Sequence, residues 1–397
     1  MNLTVNSCIK LVPIEVSKDK KNYIVEDQRS GEFYEVPEIC IDAIKMMENG
    51  ESLGCIEAGL KVKYPNEEVV ILDFVRQLLE LGLVEEINGE KIEHNIHTGK
   101  GSMGFEWISS KLGLFFFNKT SMILYTILFA ANIILLLLHS ELFPHYKDIF
   151  IFDLMILNIP AWMIISIVLL LIHEFGHIFA MRAMGFQTKL GIGHRMFIIV
   201  LEIDMTPVWK LPAKNRNKLY LAGICFDIVI LFVALSAQLL FLHMPGILLS
   251  IVHIIVLDIF IRIIYQCCVY MKTDLYFVIE NSTGCYNLME NARQLIRERL
   301  SFIKGSKTEE VIFEGERNIV ALYSIFYFIG VFLTIVLYVG FYIPQLVYAF
   351  RKTLPGLGQA PTTIDFWDAL LFMMQVFIMM GLLLYSWRKK YLLKDIR

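Results

Sequence analysis

The chain has 397 residues, is 56% hydrophobic and has a mean hydropathy of +0.58, which excludes an ordinary soluble enzyme of this length and points to a polytopic membrane protein. Charge is uneven: residues 1–98 hold 10 Lys and Arg against 19 Asp and Glu, a net of −9, within a total of −3. An acidic soluble domain therefore precedes a membrane body with basic flanks.

At the front, "CIKLVPIEV", "NYIVEDQ" and "EFYEVP" mix β-formers with polar positions at strand length, and "QRSGE" reads as a hairpin turn. Helical spacing follows, with Ile39, Ile41, Ile44 and Met47 apolar and Asn49-Gly50 as a stop. A second short helix holds Ile56 and Leu60. A third runs from Glu67 to Leu81, closed by Gly82, and "LVEEI" returns as a wing strand. Strands, three helices and a wing describe a winged helix-turn-helix. A net of −9 argues against nucleic acid as its partner, because phosphate contacts need Lys and Arg. Residues 88–104 are polar and contain glycine, so they read as a linker, with His94 and His97 as linker polarity.

"FEWISSKLGLFFFNK" (105–119) has the composition of a membrane-surface segment. Six spans follow, at 121–139, within 150–184, and at about 219–242, 247–270, 319–343 and 365–387. Lys210, Lys214, Arg216 and Lys218 crowd one loop, and the tail "WRKKYLLKDIR" carries five more basic residues. The positive-inside rule then puts both termini in the cytoplasm of a multi-pass cell-membrane protein. Seven dispersed cysteines without a CxxC pair read as reduced thiols. The β-like run from Phe197 to Ile203 is too short to span, and reads as a hairpin or re-entrant piece that needs protein or a water-filled cleft around it.

The chemistry sits in "LLLIHEFGHIFA". His173 and His177 are four residues apart, so on a helix they share one face and can bind one Zn²⁺, with Glu174 as general base. Ionisable groups inside a span are expensive and default to a functional reading. Gly176 lets another backbone come close. A catalytic zinc wants a third protein ligand, and Asp227, Asp258 and Asp274 are candidates among which spacing alone does not choose.

Two resemblances sharpen this. Through "YIVEDQRSGEFYEVPEICIDAIKMMENGESLGCIEAGL" and "VRQLLELGLVEE", the front region resembles the PqqD-like peptide-recognition domains that accompany enzymes maturing ribosomally made peptides. That implies capture of a leader peptide as an added strand. Through "HEFGHIFAMRAMGF", "PVWKLPAKNRNKLYLAGICFDIVI" and "MKTDLYFVIENSTGCYNLMENA", about 120 residues in the family's order, the body resembles the site-2-protease-like intramembrane zinc metalloproteases, closest to their bacterial peptide zinc metalloprotease branch. The resemblance implies Asp274, in "TDLYF", as third ligand, with Leu275 where glycine is commoner. It also implies a substrate-side role for Gly223 and Asp227, the latter standing where the family often has Asn. Asp258 then reads as a packing or pore-facing residue.

The expected architecture is an α-helical polytopic membrane protein with a small β-hairpin or re-entrant element and an N-terminal winged-helix-like α+β domain. Residues 1–87 are the recognition domain, 88–120 the linker and interfacial helix, 121–304 the metalloprotease core and 305–397 a C-terminal span pair. The expected function is intramembrane cleavage of a small precursor peptide of bacteriocin or pheromone type, with membrane lipid and peptide-maturation or export enzymes as further partners. The rival is a non-proteolytic export, maturation-scaffold or immunity protein with a structural zinc.

Overall fold

A computed structural model describes residues 3–20, 22–92, 104–195, 198–241, 246–299 and 316–394. The chain divides into two compact units, Met1–Gly104 with Thr206–Asn215, and Phe105–Met205 with Arg216–Arg397.

The first unit carries β1 (Ile9–Leu11), β2 (Ile14–Asp19), β3 (Asn22–Asp27), β4 (Phe33–Val36), α1 (Glu38–Glu48), α2 (Leu53–Lys63), α3 (Ile71–Glu80), β5 (Val84–Ile87) and β6 (Glu90–Lys91). Strands β2, β3 and β4 form an antiparallel meander, and β1, β5 and β6 a second small sheet. The "QRSGE" turn joins β3 to β4. Asp27 closes it by accepting from the Arg29 backbone N–H at 2.9 Å and the Ser30 hydroxyl at 3.0 Å. The wing forms where "LVEEI" predicts it, and Asn88 (φ +54°) and Gly89 (φ +85°) make the two-residue turn between β5 and β6. Helix α3 starts at Ile71, four residues after the expected Glu67. The Glu67 N–H is turned back onto the Tyr64 carbonyl at 3.2 Å, and Val70 is non-helical at φ −119°, ψ 87°. Gly82 (φ +72°) ends it as a left-handed cap, with the Leu83 N–H on the Leu78 carbonyl. Ile71, Val75 and Leu78 of α3 pack with Met47, Leu53, Ile56 and Leu60 into one core, each side chain contributing about 1.5–3 kcal/mol by burial. His94 and His97 lie outside the described residues.

The second unit runs α4 (Ser110–Phe116), α5 (Lys119–Leu138), α6 (Met155–Ala183), β7 (Leu190–Arg195), β8 (Ile198–Ile203), α7 (Ala213–Tyr220, of which the part from Arg216 on belongs here), α8 (Ala222–Phe241), α9 (Ile247–Gln266), α10 (Asp274–Thr283), α11 (Leu288–Arg299), α12 (Arg317–Leu337), α13 (Ile343–Thr353) and α14 (Ile364–Lys394). Six helical stretches among the described residues are long and apolar enough to cross a membrane: Lys119–Leu138, Met155–Ala183, Ala213–Leu240, Ile247–Gln266, Arg317–Gly358 and Ile364–Arg388. This is the architecture of a helical, multi-pass membrane protein. The fifth stretch outruns the expected 319–343, because a π-helical turn at Tyr338–Tyr342 carries α12 into α13 without a break. Strands β7 and β8 pair antiparallel from Leu190↔Ile203 to Arg195↔Ile198, a hairpin; Phe197 lies outside the described residues. Trp107, Leu114 and Phe115 remain exposed on and before α4, a composition that suits a membrane interface.

Helix α6 begins at Met155, inside the expected 150–184, and continues through Pro160. Two side chains of α14 make this possible. Asp368 accepts the Met155 and Ile156 N–H groups at 2.9 and 2.8 Å, capping the end. Pro160 has no N–H for the Ile156 carbonyl four residues earlier, and Gln375 Nε2 donates to that carbonyl at 3.1 Å instead. Helix α12 supports the far end of α9. Tyr323 donates to the Val269 carbonyl at 3.1 Å, and the Tyr270 and Thr334 hydroxyls lie 2.9 Å apart.

Candidate metal centre

The 3.6-residue period of α6 puts His173 and His177 on one face, and both are buried, as is Glu174 between them. Helix α8 lies against this face at unusually short range. A Cβ on Gly176 would stand 2.6 Å from the Ala222 carbonyl oxygen, so glycine is required for the approach. The gap at Gly223 is taken by the His173 ring itself.

Each imidazole is held on one nitrogen by an acceptor. His173 Nδ1 is 2.7 Å from Asp227 Oδ2, and His177 Nδ1 is 2.9 Å from the Leu219 carbonyl oxygen. Both contacts require an N–H on Nδ1, which leaves Nε2 to present a lone pair. The two Nε2 atoms converge on Asp274 Oδ2, at 3.1 Å from His173 and 3.5 Å from His177. Asp274 opens α10, directly after a turn in which Lys272 adopts φ +54°. The left-handed residue of this turn is thus Lys272, and Leu275 lies within α10, where glycine is not needed. Gln266 at the end of α9 fixes the carboxylate: its Nε2 donates to Asp274 Oδ2 at 2.9 Å, and its Oε1 accepts the Asp274 N–H at 3.0 Å.

One ligand atom from each of His173, His177 and Asp274 lies within 4.8 Å of the others, a buried group that could hold a metal ion. The donor set tests well against that role. Two lone-pair nitrogens aimed at one carboxylate oxygen repel unless a positive centre joins them. Two imidazoles and a carboxylate are a known protein set for a divalent transition metal with a position left open. The carboxylate and the backbone carbonyl behind the two rings are the outer partners such ligands carry.

Of the residues singled out in the sequence, His173, His177 and Asp274 come together across 101 positions, and Glu174, also buried, is the residue after His173. Asp227 and Gly223 join them, but on the His173 side: one on Nδ1, the other against the ring. Asp258 is not in the ligand group; its Oδ2 is 2.7 Å from an Arg262 amino group. Sequence reasoning missed Gln266, Arg262 and the Leu219 carbonyl. The first two carried a signal, polar side chains in an apolar span, with Arg262 one helical turn from Asp258. A backbone carbonyl carries none.

Comparison with protein-family models, with curated proteins and with solved structures finds no match.

Proposed function

We propose that the chain is an intramembrane zinc endopeptidase of the site-2-protease type, whose acidic front domain captures a precursor peptide for cleavage during maturation or release. The observation that carries this reading is the convergence of His173 and His177, on a helix of membrane-crossing length, with Asp274 of α10, Glu174 being the residue after His173. Zinc, when bound, would act as a Lewis acid toward the scissile carbonyl and lower the pKa of the attacking water. Glu174 would take the proton from that water and return it to the leaving amine. Asp227 and the Leu219 carbonyl would hold the two rings with Nε2 inward, and Gln266 would keep the Asp274 carboxylate turned toward them. The two-stranded β7–β8 sheet leaves one edge of each strand unpaired among the described residues, which suits an extended peptide added as a strand. The basic loop and tail support cytoplasmic termini in a cell membrane, with the chemistry toward the cytoplasmic side.

Glu174→Gln tests the assignment. It should retain metal and fold and abolish cleavage of the cognate peptide. Undiminished maturation in that variant excludes the protease. Export or scaffolding with a structural zinc would instead tolerate Glu174→Gln and fail on deletion of residues 1–98.

A further inference from the structure

The metal-centre reading leaves Arg262 unaccounted for. It sits on α9, an arginine within a stretch long and apolar enough to cross a membrane, where a guanidinium is costly without partners. Its contacts reach three helices. One amino group is 2.7 Å from Asp258 Oδ2, one turn earlier on α9, and 3.5 Å from the Ser166 carbonyl on α6. The other amino group faces Asp227 Oδ1 on α8 at 3.9 Å.

Asp227 is fully buried. Its Oδ2 is committed to His173 Nδ1, and its Oδ1 has no hydrogen-bond partner among the described residues; nor has the Arg262 amino group that faces it. The guanidinium that faces Asp227 is itself anchored by a second carboxylate. The order is Asp258, Arg262, Asp227, His173. Two carboxylates and one guanidinium leave a net single negative charge behind the His173 ring, on the side away from Asp274. A carboxylate so placed fixes the ring tautomer and strengthens Nε2 as a donor.

We propose that Arg262 is a positioning residue of the metal centre: its guanidinium, anchored on Asp258, holds the Asp227 side chain in place on His173 Nδ1 and so aims Nε2 at the metal position. The inference rests on the reading of His173, His177 and Asp274 as metal ligands. Lysine would not substitute fully, since a single ammonium cannot face Asp258 and Asp227 from two separate amino groups.

The test uses the full-length protein in detergent, with Zn²⁺ or Co²⁺ alone as probe. Zinc affinity is read by chelator competition, and ligand geometry by the visible absorption of bound Co²⁺. Arg262→Gln should weaken zinc by about 10–100-fold and change the cobalt spectrum, with Arg262→Lys intermediate. Asp227→Asn combined with Arg262→Gln should bind more tightly than Arg262→Gln alone, because an amide oxygen accepts from Nδ1 without needing a counter-ion. A merely structural arginine would show no such rescue. Wild-type affinity and spectrum in Arg262→Gln would overturn the proposal. If Arg262→Gln does not fold, the double variant decides: recovery of fold and metal supports the pairing, and continued failure overturns it. Zinc binding that persists at the unaltered chain's affinity in both His173→Ala and Asp274→Ala would instead remove the metal-centre reading, and this proposal with it.

Discussion

Gly223 and His173 compete for one space: a Cβ on Gly223 would lie 2.3 Å from His173 Nε2. The obstructed atom is the one aimed at Asp274, so the absence of a side chain at residue 223 is part of the centre's geometry. Gly223→Ala should push the ring aside. The expected cost is about 1–3 kcal/mol of stability from overpacking, with a larger proportional loss of bound metal. Metal content per folded chain, measured by elemental analysis, checks this. An alanine variant with full metal content would show that the ring has room to spare.

Gln266 touches Asp274 twice, through its amide nitrogen and its amide oxygen. Gln266→Ala should lower metal affinity by about 10–100-fold, while Asp274→Ala should abolish the site. Gln266→Glu should do more harm than alanine, because a second carboxylate would then face Asp274. An order of severity with alanine worst would contradict this.

Pro160 and Gln375 form a compensating pair through the Ile156 carbonyl. Gln375→Leu should cost about 1 kcal/mol. In a Pro160→Ala background the residue-160 N–H is restored to that carbonyl, and the cost should shrink toward zero. Thermal unfolding of the four-member cycle measures the coupling; strict additivity would dissociate the two residues.

Asp27 makes the front hairpin sensitive to acid. Burial raises its carboxyl pKa, but the Arg29 backbone N–H and side chain and the Ser30 hydroxyl outweigh that and hold it below its ordinary value of 3.8. A carboxyl depressed on folding stabilises the fold fully above its unfolded pKa, and that contribution is lost as pH falls through the folded value. Hydrogen-exchange protection at residues 22–36 of the full chain, relative to the intrinsic rate at each pH, should therefore fall below about pH 4. Asp27→Asn should flatten that dependence. A pH profile unchanged by the substitution would assign the effect to other groups.

The histidine pair was legible because helical periodicity alone places residues four apart on one face, and a costly pair in an apolar run needs a reason. The front hairpin, the wing and Gly82 were legible from turn chemistry, which acts over two or three residues. Asp274 was one of three candidates by spacing, and a family resemblance alone favoured it, since nothing local ties position 274 to position 173. The start of α6 was equally non-local, because the partners that let the helix run through Pro160 belong to Asp368 and Gln375. Lys272 gave no warning either, because a non-glycine residue at positive φ is held by its surroundings rather than by its own preference.

The bond from Asp368 to Ile156 spans 212 positions. Ribosomal synthesis runs from the N-terminus, so α6 with its two histidines is made long before the helix that caps it. Until α14 arrives, the Met155 and Ile156 donors lack their acceptor and the Ile156 carbonyl lacks its donor. The N-terminal end of α6 is therefore completed only after α14 has been made. A chain that stopped before α14 would carry the HEFGH sequence with that end unsecured.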